Sequence, residues 1–191
     1  LVHMQETSRL RHDFRYQLTV LTEMLKNQNY SDMEQYLKKY ISSVSETHIR
    51  YCASAAVNAV LNHYAATCQD LGIPAQFSIR LQEECFVEDI DFCVLLGNLL
   101  ENAIDACRLL PPEQQQITLK VLQSAERVIV LQIRNPYQGT FITQDGKIFS
   151  TKHAGEGQGI HSVRRIAEKY HGFLEIESDK SIFVAKVLLN L

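Results

Sequence analysis

The hydrophobic period changes once along the chain, and that change limits what it can fold into. Up to Asp70 the apolar residues recur at spacings of four and three. One series runs through Leu10, Phe14, Leu18, Leu21 and Leu25, and a second through Met33, Leu37, Ile41 and Val44 and on to His48. Such spacings make one-sided helices that pack lengthwise. The polar stretch Asn27 to Asp32 joins the two series, with Ser31 or Asp32 as the expected N-cap of the second. A helix over Ala53–Asp70 ends at Leu71-Gly72-Ile73-Pro74, a glycine-then-proline stop. Beyond it the residues alternate, predicting strands over 75–81, 117–122, 128–133, 173–176 and 182–189 and helices over 87–109 and 159–170. The expected architecture is α/β: a helical hairpin, then a two-layer sandwich with helices on one face of a sheet. A lone hairpin buries too little to stand, so its completion is a four-helix bundle with a second copy.

Composition narrows the classes further. With 191 residues, 46% hydrophobic and 21% charged, the chain is long enough for one or two folded cores. Lys and Arg number 19 against 22 acids, a net charge of −3, so no global positive field exists to hold nucleic acid. The five cysteines, Cys52, Cys68, Cys85, Cys93 and Cys107, are odd in number and form no C-x-x-C pair. They read as reduced core residues of a cytosolic protein. No run of 18 apolar residues occurs. Leu1 to Met4 reads as a cloning remnant, which makes the rest a piece of a longer protein.

Two features carry chemistry. The 87–109 helix is apolar nearly all round, yet Asp91, Asn98, Asn102 and Asp105 fall on one face. Burying an amide without a partner costs roughly 2 to 7 kcal/mol, so such a row needs something polar to face. Amide oxygens suit a hard cation and a phosphate chain; solvent is the plainer alternative. The second feature is Thr151-Lys152-His153-Ala154-Gly155-Glu156-Gly157-Gln158-Gly159, three alternating glycines ahead of a helix. Backbone N–H groups and the helix dipole there favour an anion, although glycines also make ordinary turns.

These residues carry a resemblance. Asn98-Leu-Leu-Glu-Asn102-Ala-Ile-Asp105-Ala resembles the N-box of the GHKL (Bergerat) nucleotide-binding fold, and Gly155 to Ile160 resembles its G-box. Arg11-His12-Asp13-Phe14-Arg15 resembles the H-box of sensor histidine kinases. With Asn135-Pro136-Tyr137 and Ser150-Thr151-Lys152, the set is most similar to the branch containing Gram-positive peptide quorum-sensing receptors. The resemblance implies a dimerisation and phosphoacceptor hairpin over 5–52 and an ATP-binding catalytic domain over 53–191.

By that resemblance His12 takes the γ-phosphoryl of ATP and passes it to the receiver-domain aspartate of a response regulator, while Asp13 orients the imidazole and accepts its proton. The helical spacing agrees, since His12 lies about 200° around from Leu10, away from the seam. Asn102 and Asn98 are implied as Mg²⁺ and phosphate contacts. Asn98 stands where gyrase-type ATPases carry a general-base glutamate, and an amide cannot deprotonate water, which favours transfer over hydrolysis. Lys152, Gly155, Gly157 and Gly159 are implied phosphate contacts within and after a lid over 139–155, with Lys147 a lesser candidate. The family's D-x-G-x-G adenine box is missing; Asn135 stands after the equivalent strand and is implied as the adenine contact. Tyr16 replaces a dephosphorylating residue, and Gln17 forms a His-Asp-x-x-x-Gln pattern like another branch's phosphatase motif. The implied protein is a homodimeric kinase, the cytoplasmic portion of a membrane sensor whose spans lie outside this sequence. A nucleotide-binding scaffold without turnover is the alternative.

Overall fold

In the computed structural model the switch of period falls at Gly72, whose φ of +68° closes a helix before the first strand begins. The structure describes residues 18–40, 49–82, 87–124, 127–138, 142–144, 147–149, 158–179 and 181–191. The chain divides into two compact units, residues 1–44 and 45–191.

In the first unit, helix α1 covers residues 18–26 and α2 covers Tyr30–Tyr40. Gln28 takes a left-handed φ of 55°, and the N–H groups of Gln28 and Asn29 return to the carbonyls of Leu25 (3.0 Å) and Met24 (2.9 Å). This double closure ends α1 tightly enough that α2 starts at once. The Met33 N–H already bonds the Asn29 carbonyl, so the cap position is Asn29 rather than the expected Ser31 or Asp32. Asp32 instead accepts from the Asn29 side-chain amide at 2.7 Å. The seam residues Leu18 and Leu25 are exposed in the single chain.

The second unit is a two-layer α/β sandwich. Helix α3 (Ala55–Asp70) starts where the Ser54 hydroxyl accepts the Val57 N–H. It leads through β1 (Ala75–Arg80) to α4 (Asp89–Cys107) and then to β2 (Ile117–Gln123) and β3 (Val128–Pro136). A two-strand ladder, β4 (Ile142–Gln144) against β5 (Lys147–Phe149), precedes α5 (Gln158–Lys169), β6 (Phe173–Asp179) and β7 (Ile182–Asn190). The main sheet has the order β1–β2–β3–β7–β6, parallel between β1 and β2 and antiparallel elsewhere. Alternate residues face the helices: Ile117, Leu119 and Val121 on β2, Ile129, Leu131 and Ile133 on β3, and Ala185, Val187 and Leu189 on β7 are buried. Against them packs α4, apolar on most of its circumference because it lies between α3, α5 and the sheet. Cys68 and Cys107 are buried free thiols, each held above the ordinary value by that burial. No described helix is long and apolar enough to cross a membrane.

Residues 49–52 form no regular element, yet they are strapped along α3. The Asn62 side chain accepts the Ile49 N–H and donates to the Ile49 carbonyl, both at 2.8 Å. One turn earlier, Asn58 accepts from the N–H groups of Tyr51 (2.7 Å) and Cys52 (3.1 Å) and donates to the Cys52 carbonyl (2.8 Å). Two amides thus pair the backbone as a neighbouring strand would.

Two expectations change. Strand β3 runs on to Pro136, so Asn135 is not in a loop after the strand; it opposes Phe183 within the sheet. The β4–β5 ladder was not foreseen, because three-residue strands are too short to display a period.

Candidate nucleotide-binding site

The α4 helix holds the polar stripe in a frame of buried leucines. Leu95, Leu96, Leu99 and Leu100 fix its rotation, which leaves Asn98 half-buried and Asn102 exposed on the side toward α5. The Asn98 amide nitrogen donates to the Val94 carbonyl at 2.8 Å, turning its oxygen outward. That oxygen meets the first turn of α5: a Cβ on Gly159 would stand 2.7 Å from Asn98 Oδ1 and 3.6 Å from Asn102 Nδ2. The structure therefore brings Asn98, Asn102 and Gly159 together, although 57 residues separate Asn102 from Gly159. An acceptor oxygen beside the positive end of a helix can serve a cation and an anion at once.

Asn135 occupies the last inward position of β3 and is 2% exposed. Its amide nitrogen donates to the Pro136 carbonyl at 2.9 Å, while its oxygen is buried without a hydrogen-bond partner. Turning the amide over would set oxygen against oxygen. An orphaned buried acceptor costs on the order of 1 to 3 kcal/mol, and a ligand donor is one way to offset it. The adenine amino group is such a donor, so this oxygen, with the close approach of Gly159 to the Asn98 oxygen, fits a nucleotide.

Asp91, the first residue of the stripe, and Glu101, beside Asn102, go elsewhere. Asp91 accepts Lys169 Nζ at 2.6 Å and the Tyr170 hydroxyl at 2.8 Å, tying the start of α4 to the end of α5. The Lys169 hydrogen bond holds its carboxyl below the usual carboxylate range against the burial penalty, with Tyr170 adding to the effect. The ion pair is complete at neutral pH and is lost as pH falls through that depressed value. Glu101 accepts the Tyr64 hydroxyl of α3 at 2.9 Å, and burial followed by this bond raises the tyrosine. Sequence spacing could not find Tyr64, Lys169 or Tyr170, because each pairs with α4 across 37 to 79 residues. His12, Asp13, Lys152, Gly155 and Gly157 lie outside the described residues, as do Arg11, Arg15, Tyr16 and Gln17. Among the described residues, no group of three His, Cys, Asp or Glu side chains could hold a metal ion.

Known proteins resemble the chain over this same region. The profile of the GHKL domain family covers residues 87–190, from just before α4 to the end of β7. A probable C4-dicarboxylate sensor kinase of Bacillus subtilis is 27% identical over 118 residues, which is 58% of this chain and 22% of that protein. The chain thus spans about a fifth of the curated relative's length. The mycobacterial sensor histidine kinase MprB superposes with a TM-score of 0.52 at 15% identity, covering 70% of this chain and 92% of that one. The histidine kinase AdeS of Acinetobacter baumannii gives 0.52 at 14% identity, with coverages of 94% and 98%. At these identities the structures speak for the fold, and they agree with the sandwich described above. From the asparagine helix through the last strand, the chain belongs to the GHKL domain family.

Proposed function

We propose that the chain is the dimerisation and catalytic region of a sensor histidine kinase, using ATP to phosphorylate His12 and relaying the phosphoryl group to a response-regulator aspartate. The observation that carries this is the junction of Asn98, Asn102 and Gly159, because it joins the N-box and the G-box into one site. Asn102 and Asn98 would hold Mg²⁺, which neutralises phosphate charge. The first turn of α5, with Gly155, Gly157 and Lys152 ahead of it, would receive the phosphates. A nitrogen of His12 forms a bond to the γ-phosphorus as the bond to the β–γ bridging oxygen breaks and ADP leaves. Asp13 takes the proton from the other ring nitrogen. Asn98 cannot activate water, which leaves the imidazole as nucleophile. The receiver carboxylate then displaces His12.

The exposed Leu18 and Leu25 support a homodimer, with residues 5–52 supplying the bundle and 53–191 the catalytic domain. The site serves phosphoryl transfer between proteins and needs no nucleic acid. Kinship with a much longer sensor kinase, only 22% of which is matched, supports a cytoplasmic portion of a membrane sensor. That relative is named for C4-dicarboxylates rather than a peptide.

The test is incubation with γ-labelled ATP and Mg²⁺. Wild type should acquire acid-labile, base-stable label, His12→Gln should acquire none, and Asn102→Ala should lose at least about tenfold. Label that survives in His12→Gln overturns the phosphoacceptor. Nucleotide binding without any label supports the scaffold reading instead.

A second expectation concerns Asn135→Leu, which replaces an unsatisfied buried amide with an apolar side chain of similar size. The nucleotide-free protein should melt at the wild-type temperature or above, because an orphan acceptor has been removed. ATP affinity should fall at least about tenfold, the worth of a hydrogen bond of roughly 1.4 kcal/mol. Calorimetric titration beside a melting curve checks both; undiminished affinity would remove Asn135 from the site.

A further inference from the structure

The α5 helix is held very differently at its two ends. Along its length Val163, Ile166 and Ala167 bury small or branched apolar side chains. Apolar burial is non-directional and leaves sliding along the axis weakly opposed. Among the described residues, a dense set of directional bonds from α5 to other elements lies at the C-terminal end. There the Tyr170 hydroxyl accepts the Glu88 N–H at 3.0 Å and donates to Asp91 at 2.8 Å. Lys169 Nζ reaches Asp91 at 2.6 Å and Glu88 at 3.3 Å. The following turn is bonded to β7, where Asn190 donates its backbone N–H to the Tyr170 carbonyl (2.8 Å) and its side-chain amide to the His171 carbonyl (2.6 Å).

At the other end lies Gly159, eleven residues from Tyr170 and so roughly 16 Å away along the helix. Its fit is tight, since a single added carbon would come within 2.7 Å of Asn98 Oδ1. Binding sites need placement within about 0.5 Å, so an axial slip of α5 by even that much would misplace its N–H groups relative to the Asn98 oxygen. We infer that the Glu88–Asp91–Lys169–Tyr170 cluster is a positioning device for the phosphate-binding turn of α5, with Asp91 and Tyr170 setting the helix's axial register against Asn98. The device acts through the helix and touches no ligand. For the ligand's identity it rests on the kinase reading above; for the register it does not.

Tyr170→Phe removes the bridging hydroxyl and keeps the ring, and Asp91→Asn keeps the shape and removes the charge. Both are made in the full chain. In nucleotide-free protein, the Gly159 backbone amide resonance should shift in either variant, because the slip changes its distance from the Asn98 oxygen. Mg·ATP affinity should weaken about fivefold to tenfold, while adenosine, which lacks phosphates and depends on Asn135, should titrate as in wild type. An unmoved Gly159 resonance overturns the inference. So does an equal loss of ATP and adenosine affinity, which is the mark of general loosening. If wild type binds neither nucleotide nor adenosine, the kinase reading fails, and the Gly159 resonance still decides whether the cluster sets the register.

Discussion

Gly172→Ala is expected to cost the second unit at least about 3 kcal/mol, the upper end of what overpacking a well-filled interior costs. Gly172 follows α5 in the turn to β6, and its N–H bonds the Ala167 carbonyl at 2.9 Å. A Cβ there would lie 1.7 Å from the Leu188 carbonyl oxygen and 2.6 Å from its carbon. Those atoms are backbone and cannot step aside by a rotamer change. Leu188 is paired with Val130 on one side and Phe173 on the other, so moving it disturbs three strands together. Denaturant unfolding monitored by circular dichroism measures the loss. A midpoint within about 0.5 kcal/mol of wild type would mean that the turn relocates freely.

Gly159→Ala is expected to do the opposite. Its Cβ would also clash, at 2.7 Å, but with the end of the Asn98 side chain rather than with backbone. The fold yields easily by swinging that amide away, and alanine in place of glycine favours a helix by up to about 1 kcal/mol. Melting temperature should therefore hold or rise. The swing breaks the Asn98 bond to the Val94 carbonyl and removes the acceptor from the turn proposed to receive the phosphates, so Mg·ATP affinity should drop at least about tenfold. The same substitution thus separates a glycine required for folding from one required for the site. Retained affinity in Gly159→Ala would detach the α5 turn from nucleotide binding.

Much of this was legible from spacing alone. The alternation in β2, β3 and β7 predicted the sheet because one face is buried and the other is not. The asparagines of α4 were readable because polar groups on an otherwise apolar helix are costly without a partner. Spacing gave the stripe as one face, whereas the structure sends its first residue, Asp91, to Tyr170 and the adjacent Glu101 to Tyr64. A helix flanked by two others offers its exposed arc to both, and which residue meets which depends on tertiary placement that no local pattern encodes. The burial of Asn135 was equally hidden. Asn-Pro reads as a turn, yet the proline here occupies the last rung of a strand.

The strap on α3 has a consequence for how freely its own sequence can drift. Along residues 49 to 51 Asn58 and Asn62 engage only N–H and C=O groups, with the Cys52 thiol the one strap side chain that reaches them among the described residues, and Ile49 and Arg50 turn their side chains to solvent. The seat reads peptide backbone and is indifferent to the side chains at 49 and 50, so substitutions there are silent, with proline at 49 excluded because it brings no N–H. The constraint sits instead on two asparagines of a half-exposed helix face, where a sequence reader sees only ordinary polar surface.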